Sequence, residues 1–365
     1  MNLASVQKVN NVQPIEGADA IECVTVLGWD VVCKKGEYNI GDLCVYIQID
    51  TVVPEVDYFE FLRSKKFRVK TIKLRGQLSQ GLIVPLSILP NSDRPMKWGY
   101  TEGSDVTDII GVKKYEKPDN NPIRESKPKR PTKFWPRLKY DFKYRYLYRW
   151  FPKLRSKTKS VFPKHLVPIT DEERIQNIPK VLEQYKGKDF IASHKLDGSS
   201  ITIIHEKNFL GKSVYRICSR KFELHDKNND WYKVFDSTNF KNHIDKLVTI
   251  FNTDNIIVQG EAIGSFNGNH HNLKSNEIRL FNIYVDGKRI NQKDFIDICE
   301  THHIPHCPKY WEGKLNFTLP EILQFAQIPD PINPKVPVEG LVFRCCDDSN
   351  ISWKVVNNKY LLKEK

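Results

Sequence analysis

The chain has 365 residues, 40% hydrophobic and 28% charged, with a net charge of +13, a globular composition long enough for two domains that each bury a core. No apolar run approaches the roughly 20 residues that span a bilayer, and the start Met1–Asn11 lacks the apolar core of a signal peptide, so an intracellular protein without a membrane partner is expected. The eight cysteines form no C-x-x-C pair and several sit among apolar residues, which fits reduced, buried thiols.

Residues 1–110 alternate apolar and polar in short runs: Ile21 to Leu27, Val31 to Cys33, Leu43 to Asp50, Arg68 to Leu74 and Gly81 to Leu86. Gly28, Gly36, Gly41 and Gly76 punctuate them. Many short strands with glycine turns predict a small β-barrel of the oligonucleotide-binding (OB) type. Lys65, Lys66, Arg68, Lys70, Lys73 and Arg75 lay a basic strip along it, which reads either as a nucleic-acid surface or as a solvated strand face.

Residues 111–165 hold 18 Lys and Arg against 4 Asp and Glu, a net +14, so the rest of the chain is close to neutral. The basicity is local. Here Tyr140, Phe142, Tyr144, Tyr146, Tyr148 and Trp150 place an aromatic at every second position, with Lys143, Arg145 and Arg149 between. The pattern suits stacking on bases while neutralising phosphates, and suits an amphipathic strand or linker equally. The segment reads as a basic, aromatic-rich linker or insertion.

Residues 166–365 predict a second unit. Thr170 and Glu173 have capping-box spacing, and Ile175, Ile178, Val181, Leu182 and Tyr185 follow at helical intervals up to Gly187, so a helix is expected there. Strands are expected over 189–194, 200–205, 213–218, 255–263, 278–285, 340–345 and 351–356, and helices over 292–302 and 320–327. The fold class is therefore α+β, with antiparallel sheets lining a cleft and helices flanking them. Cys299, His302, His303, His306 and Cys307 crowd metal-binding residue types into nine positions. No second ligand pair stands at zinc-finger spacing, so helix surface and loop is the favoured reading.

Charged residues recur at the edges of these apolar runs: Lys195 in Lys195-Leu196-Asp197-Gly198, Arg220 after Ile217-Cys218-Ser219, Glu261 after Gly260, Glu339 before Gly340, and Lys354 in Trp353-Lys354-Val355. Phe281 lies in the run Leu280-Phe281-Asn282-Ile283. A lone K-x-D-G is weak, and a phenylalanine in an apolar run is ordinarily core. In series they resemble the nucleotidyltransferase (ATP-grasp-like ligase) domain of ATP-dependent RNA ligases, in the superfamily that includes DNA ligases and mRNA capping enzymes. Val26-Leu27-Gly28-Trp29, Gly41-Asp42, Lys73-Leu74-Arg75-Gly76 and Ser79-Gln80-Gly81-Leu82 resemble the N-terminal OB-like domain of one RNA ligase branch.

The resemblance implies that Lys195 attacks the α-phosphorus of ATP and carries AMP, and that the product joins a 3′-hydroxyl to a 5′-phosphate, at nicks in duplex RNA or an RNA/DNA hybrid. By the same resemblance Asp197, Glu261 and Glu339 place a Mg2+ or Mn2+ ion, Arg220 binds ribose and then the 5′-phosphate, Phe281 stacks on adenine, and Lys354 faces the α-phosphate. Gly198 lets the backbone turn beside the nucleophile. A free lysine is protonated at neutral pH, so the site is expected to depress the pKa of Lys195 through burial or nearby positive charge. RNA ends are the implied partner, and a monomer is expected. Relatives often carry a second lysine where Val356 stands, glutamate where His194 stands and lysine where Ile169 stands. A non-catalytic RNA-binding protein on the same fold, a DNA ligase and a capping guanylyltransferase remain alternatives; the barrel preceding the Lys195 domain favours RNA ligase.

Overall fold

The computed structural model describes residues 2–90, 99–115, 134–142, 159–208 and 210–363. The first stretch builds a curled five-stranded antiparallel sheet in the spatial order Trp29–Lys34, Ile21–Val26, Ala4–Pro14, Leu43–Ile47, Leu82–Pro85. Ala4–Pro14 is its long central strand. Its first half pairs with Leu43–Ile47 and its second half with Ile21–Val26, and a register shift between Val9 and Asn11 bends it between the two partners. One barrel face is filled by Val9, Val24, Val26, Trp29, Val31 and Tyr46, and a second apolar cluster gathers Val6, Val45, Ile47, Phe59 and Phe67.

Two expectations for this region change. The run Arg68–Leu74 divides into Arg68–Val69, which pairs with Thr51–Val52, and Ile72–Leu74, which forms an exposed hairpin with Gln77–Ser79. Arg68 leaves the basic strip: it is buried, bonds Asp50 at 3.1 Å and lies 3.7 Å from the centre of the Tyr115 ring. Lys65, Lys66, Lys73 and Arg75 stay exposed.

The strands from Lys159 onward form two antiparallel sheets. The larger has the order Lys159–Val161, Phe222–Leu224, Ser213–Ser219, Ser199–Lys207, Ile256–Ile263, Glu277–Val285, Lys288–Arg289. The smaller has the order Lys309–Lys314, Asp189–Lys195, Gly340–Cys345, Ser352–Val356. Helices Asp230–Ser237, Phe240–Phe251 and Gln292–Thr301 cover the larger sheet, with Phe235, Phe240, Ile244, Leu247, Phe295 and Cys299 buried against Ile203, Ile217 and Val258. Helix Leu319–Phe325 covers the smaller one, capped by Thr318 and Glu321. The α+β class stands.

The helix expected from Thr170 does not form. Residues 170–174 run extended, followed by a single turn at Ile175–Asn177 and a short helix at Val181–Gln184, because Pro179 offers no N–H and its ring opposes a continuous helix. The acidic trio is used otherwise: the Glu173 carbonyl accepts the N–H of Lys354 at 2.8 Å, and Glu172 bonds Arg344 at 2.9 Å.

The ends of the basic segment fold into its neighbours, Lys113–Lys114 pairing with Thr51–Val52 and Lys159–Val161 with Phe222–Leu224. A helix, Phe134–Asp141, occupies the start of the aromatic run in place of a strand, and the positions from 143 to 158 lie outside the described residues. Cys299 is buried in the core of the larger sheet and Cys307 in a separate cluster around Leu196, while His303 is exposed, so this group does not converge. No helix among the described residues is long and apolar enough to cross a membrane.

The barrel is fastened to the smaller sheet. Trp29 donates its indole N–H to Asn177 at 2.7 Å, Arg174 bonds Asp50 at 2.7 Å, and Gln80 reaches Asn358 at 3.1 Å. Val356, Tyr360 and Leu361, which follow the Lys354 position, bury themselves in the barrel cluster, each contributing about 1.5–3 kcal/mol.

Candidate active site

The two sheets face each other across a cleft, and alternation along the strands decides what enters it. In Asp189–Lys195, Phe190 and Ala192 join the core behind the smaller sheet, so Ile191, Ser193 and Lys195 point the other way. In Ser352–Val356, Trp353 and Val355 are core, which turns Ser352 and Lys354 to the cleft. Glu261 comes from the opposing sheet, where Ser200 pairs with it directly, so the turn after Lys195 is registered against Glu261.

Gly198 is required by that close approach. A Cβ there would lie 2.9 Å from the Glu261 Cγ and press on the Ala262 carbonyl oxygen, so any side chain would push Lys195 and Glu261 apart.

Lys195 Nζ lies 2.6 Å from Glu339 Oε1. Burial draws the Lys195 pKa down, but Glu339, Glu261 and Asp197 more than offset it, and the ammonium is held above its ordinary value. The expected depression is absent, because the nearest charges are carboxylates. The same crowding acts on Glu261, whose carboxyl burial pushes up to about 8, with Lys195 opposing and Glu339 and Asp197 adding to the rise. Three carboxylates around one amine therefore leave surplus negative charge. Among the described residues no three acidic, imidazole or thiol groups converge at metal-ligand distance.

A second charge centre was not read from the sequence. Asp171 Oδ2 lies 2.8 Å from Arg220 and 3.0 Å from Lys114, and Oδ1 lies 3.2 Å from Lys354 Nζ. Burial alone would raise the Asp171 pKa, but these three cations hold it well below the usual carboxylate range. Asp171 thus gathers the two cations expected to meet phosphate, Lys354 and Arg220. Thr170-Asp171-Glu172-Glu173 looks like a helix start, which hid this role. Arg344 was also missed: it is buried, bonds Glu172, and stands 6.0 Å from the centre of the Phe281 ring. Phe281 itself is half-buried beside Leu196, Ile263 and Cys307. His194 points away from the cleft and its Nδ1 lies 3.1 Å from the Pro308 carbonyl.

Val356, where relatives often carry a second lysine, is 3% exposed and belongs to the barrel cluster. The cleft face of this strand ends at Lys354, so Lys354 is its sole cation. Val356→Lys is expected to lower the melting temperature by several degrees and leave adenylylation no faster, since it buries an unpaired ammonium among apolar side chains. Thermal unfolding beside a labelling assay checks this, and a faster, equally stable variant would overturn it.

Comparison with known proteins agrees with this geometry. A family model described as RNA ligase matches residues 188–363, and an OB-fold domain model matches residues 3–86. No curated protein matches the chain at a significant level. Among solved structures, a variant of Naegleria gruberi RNA ligase with AMP and manganese is 30% identical, with a TM-score of 0.78, and the match covers 100% of this chain and 99% of that one. The same ligase with pyrophosphate matches at 30% identity, TM-score 0.78, over 100% and 99% of the two chains. Another variant of it, with ATP and manganese, matches at 30% identity and TM-score 0.77 over 99% of both chains. Likeness of this extent, through the barrel and both sheets, means that the chain belongs to the RNA ligase family.

Proposed function

We propose that this RNA ligase uses ATP and seals 3′-hydroxyl and 5′-phosphate ends at nicks in duplex RNA or an RNA/DNA hybrid, through AMP carried on Lys195. The observation that carries the reading is the placement of the Lys195 amine in a cleft against Glu339, with Glu261 and Asp197 beside it, Lys354 two strands away on the same sheet and Arg220 at the end of a strand of the opposing sheet. The ATP, AMP and pyrophosphate complexes of the Naegleria ligase support ATP as the nucleotide.

In the first step the Lys195 nitrogen forms a bond to the α-phosphorus as the bond to pyrophosphate breaks. Glu339, within hydrogen-bond reach, is placed to take the proton that the ammonium gives up. Lys354 and Arg220 exchange Asp171 for phosphate oxygens, and Phe281 borders the base. In the second step a 5′-phosphate oxygen displaces Lys195 from the AMP phosphorus. In the third a 3′-hydroxyl attacks that 5′-phosphate and AMP departs. All three are in-line displacements at phosphorus, in which positioning and charge neutralisation carry most of the rate.

The surplus negative charge shared by Asp197, Glu261 and Glu339, and their all-oxygen chemistry, fit Mg2+ or Mn2+ held through water rather than by three direct bonds. Such an ion would neutralise the carboxylates that keep Lys195 protonated and add positive charge along the phosphates.

Lys65, Lys66, Lys73 and Arg75 on the barrel give nucleic acid a charged approach. A panel of nicked duplexes tests the substrate. Sealing is expected when the strand ending in the 3′-hydroxyl is RNA and to fall at least tenfold when it is DNA, about the penalty for leaving polar groups unpaired where a 2′-hydroxyl should sit. Equal sealing of an all-DNA nick would reassign the substrate.

A further inference from the structure

We propose that His271 is a positioning residue for the nucleophile: with Asp330 it fixes the backbone of Asp197 and so sets the Lys195 turn against the segment that carries Glu339. The proposal rests on the ligase reading and adds residues to it.

The Lys195–Glu339 contact joins residues at the ends of separate segments, the turn 195–198 and the stretch leading into Gly340–Cys345. The ladder between their strands ends at the Lys195–Gly340 pair, so a further contact must hold the turn and the Glu339 stretch together beyond it. The loop after Phe266–Gly268 does so from behind. His271 is 2% exposed, and its Nε2 lies 3.0 Å from the Asp197 carbonyl oxygen. A carbonyl only accepts, so Nε2 carries a proton and donates it. Nδ1 lies 3.0 Å from Asp330 Oδ1, an oxygen that also accepts the N–H groups of Ile332 at 2.9 Å and Asn333 at 2.8 Å. Asp330 is itself 1% exposed, and the three bonds on its Oδ1 fix that oxygen.

The neighbouring residue completes the link. His270 Nε2 lies 3.0 Å from the carbonyl oxygen of Pro337, two residues before Glu339, and Asn333 donates to the His270 carbonyl at 3.3 Å. The Asp330 N–H bonds the Val336 carbonyl at 2.9 Å, and Val338 N–H bonds Ile328 at 3.2 Å. One short loop is therefore bonded to the residue two places after the nucleophile and to the residue two places before its carboxylate partner. A buried imidazole cannot touch substrate, so His271 acts through the turn and not on the reacting atoms.

Single-turnover adenylylation of the full chain with α-labelled ATP and Mg2+ tests this, read beside melting temperature and the dependence on ATP concentration. His271→Ala is expected to slow the step at saturating ATP by about 10- to 100-fold, with the ATP concentration for half-maximal rate little changed, because displacing an attacking atom by ~1 Å has a cost of that order. His271→Gln, whose amide can still donate to the Asp197 carbonyl, is expected to recover most of the rate. Asp330→Asn is expected to be slow too, and the Ala/Asn double variant no slower than His271→Ala alone, as for two residues acting as one unit. A folded His271→Ala with wild-type rate overturns the proposal, as does a His271→Gln that folds normally yet stays as slow as Ala. Should His271→Ala not fold, His271→Gln and Asp330→Asn decide by the same readout, and wild-type rate in Asp330→Asn overturns it. Absence of label on the wild-type chain would instead remove the ligase reading itself.

Discussion

Lys195→Ala is expected to leave no labelled AMP on the chain after incubation with α-labelled ATP and Mg2+ or Mn2+ followed by denaturing electrophoresis. Among the described residues no other lysine stands where Lys195 does: Lys354, on the next strand but one of the same sheet, is tied to Asp171. Lys195→Arg should be equally unlabelled, because a guanidinium keeps the positive charge beside Glu339 but does not give up its proton. Both variants should still join a strand supplied with AMP already on its 5′ end, since that step needs no lysyl-AMP. Label on either variant would remove Lys195 from the first step. The pH dependence follows from the same geometry. Lys195 is held above its ordinary pKa and Glu261 is pushed up to about 8, so each keeps a proton that must leave before the amine attacks and the carboxylates are all charged. The rate of wild-type labelling should therefore climb as pH rises from 6 towards 9, and more divalent cation should move that climb to lower pH. A rate that falls over this range would contradict the arrangement.

The contrast between Lys195 and Asp171 shows how much of this site was legible beforehand. Lys195, Glu261 and Lys354 sit at the ends of short apolar runs whose length and β-branched content mark strands, and strand alternation then decides which side chains share a face. The barrel was readable for the same reason, through glycine-punctuated alternation. Asp171 and Glu172 belong to an extended segment that imitates a helix start, and their partners Arg220, Lys114 and Arg344 are distant in sequence, so no local pattern reveals them. The raised Lys195 pKa was missed because three carboxylates were assigned to a metal and not counted as neighbours of the amine. Helix Phe240–Phe251 escaped notice although Phe240, Ile244 and Leu247 follow helical spacing, and Asn229, whose side chain accepts the Tyr232 N–H at 3.0 Å, marks the start of the preceding helix. His271 and Asp330 could not be paired from sequence at all, since their value lies in a bond between two loops.

Lys354→Ala is expected to slow adenylylation by about 10²–10³-fold, the usual cost of removing a fixed donor aimed at developing charge in a site sheltered from water. Its side chain is only 14% exposed and leans on Asp171 at 3.2 Å, while its backbone N–H is held by the Glu173 carbonyl at 2.8 Å. Truncation removes the ammonium without releasing the strand, and Asp171 keeps Arg220 and Lys114, so the melting temperature should move by only a few degrees. Burial draws the Lys354 pKa down, with Asp171 resisting and Arg174 and Lys195 adding to the fall. A cation under that pressure gains most when a phosphate arrives beside it, which places its contribution in the reacting complex more than in the free protein. Lys354→Arg should therefore regain part of the rate, because the charge returns on a larger, differently shaped head. Joining of a pre-adenylylated 5′ end should slow as well, since that displacement occurs at a phosphate in the same cleft. If Lys354→Ala adenylylates and joins at wild-type rates, the only cation on this strand's cleft face has no part in phosphate chemistry, and Arg220 must carry that charge alone.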